Sequence, residues 1–234
     1  MYRLYYWTGI PGRGEFVRLA LEAAGAKYQD IARQKGDGVI EAFTARTRTP
    51  SFAPPFLVDG DVVVGQTAAI LFYLGPKLGL APRDPRLRLW AHQIQLTIAD
   101  FVVEAHDSHH PVGSGLYYEQ QKREAKRRAK EFREERAPKF LGWFETVLRN
   151  NIASRKVLVG RRPGYVDFSL FQVVEGLAYA YPRLWARIGS EYPLVTAHRQ
   201  RIAEYPALQT YFRSQRRLDF NTGGLFRHYP ELDP

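Results

Sequence analysis

The sequence contains no cysteine among its 234 residues. This absence excludes disulfide bonds, thiolate metal sites and a cysteine nucleophile, and it is typical of a reducing compartment. No stretch approaches the roughly 18 consecutive apolar residues that a membrane span requires. The opening residues MYRLYYW lack the apolar core of a secretory signal peptide. We therefore expect a soluble, cytoplasmic protein.

The formal net charge is +10, and much of it lies in residues 120–140. Within this segment Ala125, Ala129, Phe132 and Phe140 fall at helical spacing between interleaved Glu, Lys and Arg. The pattern favours the solvated face of an amphipathic helix. A nucleic-acid-binding surface is the alternative and predicts salt-sensitive binding. The sequence has no helix-turn-helix or zinc signature and no aromatic residues interleaved for base stacking.

Hydrophobic periodicity divides the chain into two parts. Residues 1–79 predict strand, helix, strand, a basic loop with one short helix, two strands joined by an Asp-Gly turn, and a helix. That order indicates a small α/β domain with a mixed sheet. Residues 80–90 contain two prolines among polar residues and are predicted to be a linker. Residues 91–234 carry helical patterns throughout, so the predicted fold class is a two-domain α+β protein whose second domain is all-helical.

The stretch PPFLVDGDVVVGQTAAILFYL, residues 54–74, combines two features that suit peptide binding. Pro54 and Pro55 open a strand, and we expect the next residue, Phe56, to offer its N–H and C=O outward for β-type pairing. Gln66 and Thr67 stand where a helix begins, and free N–H groups there can hold a carboxylate. The stretch thus predicts a cradle for a small extended peptide with an anionic end. An ordinary loop followed by a helix N-cap is the alternative.

Two motifs show that the sequence resembles the cytosolic glutathione transferases over nearly its whole length. They are GQTAAILFYLGPKLGL and VLVGRRPGYVDFSLFQVVEGL. The second resembles the helical-domain signature of that family, with Gly164 in place of the usual Ser or Thr and with Asp167 as a folding residue. The resemblance implies a thioredoxin-like first domain, glutathione as co-substrate, a small hydrophobic electrophile as second substrate, a homodimer and no required metal.

The family's glutathione-binding residues fall on specific positions here. Pro55 resembles the cis-proline before the third strand, and Phe56 resembles the residue whose backbone pairs with the cysteinyl part of glutathione. Gln66 and Thr67 resemble the pair that holds the γ-glutamyl end. Asp100 resembles the acidic residue that reaches across the dimer interface to the γ-glutamyl amino group, and an ordinary polar helix residue is the alternative.

A hydroxyl donor beside the glutathione thiol would stabilise the thiolate, which is the nucleophile. Leu4-Tyr5-Tyr6-Trp7 resembles the tyrosine-type classes of the family, such as the sigma, mu and pi classes. In that comparison Tyr6 takes the catalytic place, and Tyr5 points to the opposite sheet face as a core residue. The following turn, TGIPGRG, is about one residue longer than in those classes, which leaves Thr8 as an alternative donor.

Basic residues are predicted to hold the carboxylates of glutathione. Arg13 follows Gly12 in the turn, and a surface role is the alternative. Lys35, Arg46 and Arg48 lie in a basic segment that is expected to face the glycyl end, and the sequence does not choose among them.

The segment HDSHHP, residues 106–111, is the feature that the resemblance explains least. The sequence allows three interpretations of this segment: a polar helix end, a wall of the electrophile pocket, or a metal site, which needs three or four converging ligands. For the electrophile pocket the candidates are Trp7, His110 and Tyr117. The final segment, from Arg216 onwards, is predicted either to fold over the pocket or to pack its aromatic residues on the core.

The leading functional prediction is a detoxification-type transferase that activates glutathione as a thiolate for addition to an electrophile. A glutathione-dependent peroxidase or isomerase belongs to the same enzyme class. A non-catalytic binding or regulatory protein on the same fold is the alternative, because fold does not fix function.

Overall fold

The computed structural model describes residues 1–234. Four strands form one mixed sheet in the order β2-β1-β3-β4. The strands are β1 (Tyr2–Tyr5), β2 (Tyr28–Asp30), β3 (Phe56–Asp59) and β4 (Val62–Gly65). Strand β1 runs parallel to β2 and antiparallel to β3, and β3 pairs antiparallel with β4. The predicted mixed sheet is confirmed.

Eleven α-helices accompany the sheet. They are α1 (Gly14–Ala23), α2 (Ile31–Lys35), α3 (Gly38–Thr44), α4 (Thr67–Lys77), α5 (Pro85–Asp107), α6 (Lys122–Glu131), α7 (Ala137–Asn150), α8 (Tyr165–Ala180), α9 (Pro182–Ile188), α10 (Pro193–Ala203) and α11 (Gln209–Phe212). None of them combines the length and the apolar character that a bilayer-spanning helix needs.

The two faces of the sheet bury different clusters, because successive side chains of a strand point to opposite sides. Leu4 packs with Val17 of α1 and Leu74 of α4 on one face. Tyr5 packs with Phe56 on the other face, where their rings stack with centroids 4.5 Å apart. Tyr5 is therefore the core residue that the alternation predicts.

The predicted linker at residues 80–90 is wrong in its second half, because α5 already begins at Pro85. Asp84 caps this helix by accepting a hydrogen bond from the Arg86 N–H at 2.8 Å. Proline suits the first helical position, where an N–H would have no intrahelical partner. The basic segment that precedes β3 also differs from the prediction, since it holds two short helices, α2 and α3, rather than one.

The basic segment at residues 120–140 is helical with one solvated face, as its spacing predicts. Ala125, Ala129 and Phe132 are fully buried. A π-helical turn, Phe132–Arg136, joins α6 to α7, and the sequence pattern does not reveal it. The turn brings Arg136 to Glu104 of α5, with Nε 2.7 Å from Oε2.

The main core lies in the helical part, around α8, which is buried along most of its length. A buried polar network joins α1 to this part. The Tyr211 hydroxyl donates to Glu15 Oε1 at 2.6 Å. Arg217 also pairs with Glu15 and donates to Gln172 Oε1 of α8 at 2.9 Å. Because Glu15 is fully buried, these partners satisfy a carboxylate that would otherwise be costly to bury.

Asp167 holds the start of α8. Its Oδ2 accepts from the Gly164 N–H at 2.8 Å, and its Oδ1 accepts from the Leu158 N–H at 2.8 Å and from His198 Nε2 at 2.9 Å. The missing Ser or Thr at position 164 has a steric cause. A Cβ on Gly164 would lie 2.7 Å from the carbonyl oxygen of Leu80.

Candidate active site

Tyr6 lies directly after β1 and is only 3% exposed. Its hydroxyl oxygen accepts a hydrogen bond from the Arg13 backbone N–H at 2.8 Å. The ring lies against the backbone of Gly12 and Gly14, where an added Cβ would overlap the ring at either position. The glycines of the turn TGIPGRG therefore make room for the tyrosine.

The surroundings of Tyr6 keep its hydroxyl protonated. Burial raises the pKa of Tyr6, and the Arg13 N–H and the charges of Arg13 and Arg18 offset only part of that increase. The Arg18 guanidinium lies 5.7 Å from the ring centroid. Because its oxygen already accepts from Arg13, the Tyr6 hydroxyl has its own proton left to donate. It can act as a hydrogen-bond donor at neutral pH, and it is unsuited to act as a base.

The backbone of Arg13 connects Tyr6 to the start of α4. Its N–H donates to Tyr6, and its C=O accepts from the Thr67 hydroxyl at 3.5 Å. The residue before α4, Gln66, has φ of +63°, a left-handed conformation that is uncommon outside glycine and often found at functional sites. Gln66 is exposed, and the first amides of α4 have no partner within the helix. The predicted anion-binding position is therefore next to Tyr6.

The expectation for Phe56 is wrong in one respect. Strand β3 is central in the sheet, and Phe56 stands opposite Tyr5 on one side and Gly65 on the other. Its backbone is therefore not at an open edge. The peptide bond between Pro54 and Pro55 is cis, and neither residue has an N–H. Neither proline can therefore donate a backbone hydrogen bond to an extended peptide that reaches this end of β3.

Thr8 is occupied by another partner. Its backbone N–H donates to Asp37 Oδ1 at 3.0 Å, and its hydroxyl donates to Asp37 Oδ2 at 3.4 Å. These bonds tie the loop after β1 to the start of α3. Thr8 thus has a positioning contact of its own, which weakens it as a substitute for Tyr6.

The basic residues expected at the glycyl end are exposed. Lys35 ends α2, and Arg46 and Arg48 follow α3. None of the three belongs to an ion pair, whereas Arg33 of α2 pairs with Asp30. All three cations are therefore available to a ligand carboxylate, and the structure does not single one out.

Asp100 is exposed on α5. On the same helix Leu96 and Val103 are 47% and 46% exposed. Residues at these spacings share one face, so Asp100 lies within an exposed apolar stripe and points away from the core of its own chain.

The histidine segment is mostly internal. His109 Nε2 donates to the Leu225 carbonyl at 2.8 Å, so the neutral His109 ring accepts at Nδ1 from the protonated Nδ1 of His110. Burial lowers the pKa of His109 to about 3 and that of His110 to about 4. No group of three or more His, Asp or Glu side chains has an arrangement suited to a metal ion.

The three electrophile-pocket candidates differ in their surroundings. His110 is only 6% exposed, Trp7 is 36% exposed and Tyr117 is 78% exposed. His110 is thus an internal side chain that packs against His106 and His109, and Tyr117 stands at the surface.

The final segment packs on the core and also reaches the loop after β1. Phe226 packs against Gly176 of α8, and the Tyr229 ring stacks on Tyr118 with centroids 3.7 Å apart. Asn221 Nδ2 donates to the Gly9 carbonyl at 3.0 Å. The prediction that its aromatic residues pack on the core is confirmed, and the segment also braces the loop that carries Tyr6.

Sequence reasoning missed Gln95 of α5. It is 1% exposed, its Oε1 has no hydrogen-bond partner, and with Arg13 and Thr67 it lines a small cavity of about 30 Å³. The signal was present in the sequence, because a glutamine stands where the spacing of Ala91, Ile94 and Ile98 calls for an apolar residue. A surface cavity of about 670 Å³ is lined only by charged side chains that belong to none of these sites.

Three comparisons agree with this architecture. Residues 106–215 match the sequence profile of the family described as "Glutathione S-transferase, C-terminal domain". A glutathione S-transferase of Plasmodium falciparum is 25% identical over 220 residues, which are 91% of this chain and 95% of the relative. Glutathione S-transferase P 1 of Xenopus laevis is 26% identical and covers 92% of this chain and 93% of its own.

A solved structure shows the same fold. The Pi-class glutathione S-transferase of Onchocerca volvulus superposes with a TM-score of 0.70 at 22% identity, over 90% of this chain and 91% of its own. At that identity the likeness concerns the fold alone.

Proposed function

Given that this chain belongs to the cytosolic glutathione transferase family, we propose that it joins glutathione to small hydrophobic electrophiles and that Tyr6 activates the thiol. The observation that carries the proposal is the Arg13 backbone, which links the Tyr6 hydroxyl to Thr67 at the start of α4. Residues 1–79 would bind glutathione, and the helical residues 91–234 would contribute the second-substrate pocket.

The free energy needed to lower the pKa of the glutathione thiol can be compared with that of one hydrogen bond. A free thiol with a pKa of about 8.5 is only about 3% thiolate at pH 7, and a pKa of about 6.5 would make it about 75% thiolate. Lowering the pKa by roughly two units requires about 2.7 kcal/mol. One hydrogen bond to a charged group supplies about 1.5–3 kcal/mol. The buried, protonated Tyr6 hydroxyl can thus provide most of the shift by itself.

The reaction step then follows from the thiolate. The thiol proton leaves to solvent, and the sulfur lone pair forms a bond to an electrophilic carbon. In a substitution the leaving group departs with its electron pair, and in an addition the resulting carbanion takes a proton from water. Tyr6 keeps its proton throughout and only donates a hydrogen bond to sulfur.

The remaining parts of the site orient glutathione. The start of α4 with Gln66 and Thr67 would hold the γ-glutamyl carboxylate, assisted by Arg13. The carbonyls of Pro54 and Pro55 would accept from the cysteinyl backbone beside Phe56. One of the exposed cations Lys35, Arg46 and Arg48 would pair with the glycyl carboxylate. Orientation of this kind lowers the entropic part of the barrier.

A homodimer would bury an apolar surface that the single chain leaves exposed. Leu89, Leu96 and Val103 recur every seven residues along α5 and are 46–67% exposed. Phe72 of α4 is 45% exposed. Exposed apolar surface of this extent is typical of an interface, and it would place Asp100 against the second copy.

The test is calorimetric titration of glutathione between pH 5.5 and 9 on the wild type and on Tyr6→Phe. We expect the wild type to bind with proton release and an apparent thiol pKa well below 8.5. Tyr6→Phe should bind with similar affinity and a pKa near 8.5. If glutathione does not bind at millimolar concentration, the non-catalytic alternative replaces this proposal. If both proteins bind without a pKa shift, Tyr6 loses its role.

A further inference from the structure

Gln95 is a buried polar side chain without a partner. The inward face of α5 carries Ala91, Ile94, Ile98 and Val102, all buried, and Gln95 interrupts it. Its Oε1 is buried and bonded to nothing. A buried carbonyl oxygen without a donor is destabilising, so an apolar side chain would serve stability better at this position. Such an unsatisfied group in a native fold calls for a functional explanation.

The cavity beside Gln95 supplies that explanation. Gln95 lines it together with Arg13 and Thr67, and the other lining residues are apolar: Phe16, Ile98, Ala99 and Val102. The volume of about 30 Å³ admits one group of the size of water or ammonium. Arg13 makes no ion pair, since the nearby carboxylate of Glu15 is engaged by Arg18 and Arg217. The residues that line the cavity therefore carry one cation outside any ion pair, one hydroxyl and one buried acceptor without a partner.

This set of groups is complementary to an α-amino acid. The Arg13 guanidinium and the start of α4 favour a carboxylate. The Gln95 carbonyl requires a donor, and the ammonium group on the same carbon is one. The γ-glutamyl residue of glutathione carries such a free α-carboxylate and α-ammonium pair. Resting on the proposed function, we propose that Gln95 accepts a hydrogen bond from the γ-glutamyl ammonium group within the same subunit.

Asp100 cannot take this role in its own subunit. Five residues along an α-helix correspond to about 140° of rotation, so Gln95 and Asp100 lie on different faces of α5. Their exposure agrees, since Gln95 is buried and Asp100 is exposed. An ammonium group at the Thr67 cavity would therefore meet Gln95 from its own chain, and Asp100 only from a second copy.

The test compares three ligands on wild type and Gln95→Met, which keeps the side-chain length and removes the acceptor. The ligands are glutathione, its analogue without the α-amino group (glutaryl-cysteinyl-glycine) and its analogue without the α-carboxylate (4-aminobutyryl-cysteinyl-glycine). By calorimetry we expect Gln95→Met to weaken glutathione and the second analogue roughly 10- to 100-fold, the range for one charge-assisted hydrogen bond. The analogue without the amino group should bind both proteins equally. Gln93→Met, an exposed glutamine on the same helix, is the matched control and should change nothing.

Each other result overturns the inference. Equal weakening of all three ligands would show a packing role, and no weakening of any would show that the cavity holds only water. If Gln95→Met does not fold, Gln95→Glu replaces it, and removal of the amino group should then cost more affinity than in the wild type. A failure of the wild type to bind glutathione refutes the proposed function instead, and the two failures are thus distinguishable.

Discussion

Replacing Gly164 with serine tests the packing at the start of α8. Serine would restore the residue type that the family signature carries and would add a capping hydroxyl. Because φ at Gly164 is −115° and ψ is −176°, any residue can adopt this backbone conformation. Only the contact with Leu80 opposes the change, since the new Cβ would lie 2.7 Å from its carbonyl oxygen. That oxygen accepts from the Tyr165 N–H at 3.0 Å, so moving it away weakens a second bond.

Two opposing contributions decide whether Gly164→Ser stabilises or destabilises the protein. A serine cap in place of glycine gains only a few tenths of a kcal/mol. Relieving an overpacked contact of this kind costs about 1–3 kcal/mol. We therefore expect Gly164→Ser to lower the free energy of unfolding by about 1–2.5 kcal/mol, or the melting temperature by roughly 2–10 °C for a protein of this size.

Denaturant titration of wild type, Gly164→Ser and Gly164→Ala measures the effect. The alanine variant has the same Cβ contact without the hydroxyl, so the difference between the two variants isolates the cap. A serine variant as stable as the wild type would refute the reasoning, because it would show that Leu80 moves aside without cost.

Two further predictions concern the surface and the histidine segment. Leu96→Glu places a charge in the exposed α5 stripe and should dissociate the dimer, as measured by light scattering. The control is Leu116→Glu, which changes an exposed leucine outside that stripe and should leave the dimer intact. Dimers in both variants would contradict the proposed interface. The free energy of unfolding should fall as the pH drops from about 6.5 to about 4. In the folded protein the pKa values of His109 and His110 are about 3 and about 4, so these rings stay neutral over most of this range. In the unfolded chain they take up protons at the ordinary histidine pKa of about 6.5, which favours unfolding. His109→Gln keeps one donor and one acceptor and should flatten that slope in thermal scans; an unchanged slope would assign the pH dependence elsewhere.

Local sequence patterns correctly predicted the structural features that depend on residues close together in the chain. The alternation of Leu4 and Tyr5 gave the two faces of β1. The start of α4 at Thr67 followed from the change from strand to helix periodicity. The prediction of a linker at Pro85 is wrong, although Asp84 before it is a helix cap that the sequence already displays. Proline also breaks regular structure, but after the Asp84 cap it marks the first residue of a helix.

Other features depend on contacts between distant segments and leave no local pattern. Nothing in the segment around Phe56 shows that β1 and β4 flank it, so the predicted open edge is wrong. Glycine at position 164 has no explanation until Leu80 is placed beside it. Gln95 interrupts the apolar spacing of α5 in the sequence itself, but the cavity that it lines with Arg13 and Thr67 depends on how α1, α4 and α5 pack together.

The hydrogen bond from Asn221 to Gly9 spans 212 positions in the sequence, and this separation orders the events of synthesis. Domains fold roughly as they leave the ribosome, the earliest segments first. The sheet can form from early segments alone, but the loop that carries Tyr6 receives its brace from a residue made 212 positions after Gly9. A nascent chain would therefore hold a folded sheet before it holds a finished loop, and the candidate site would be complete only after Asn221 has left the ribosome.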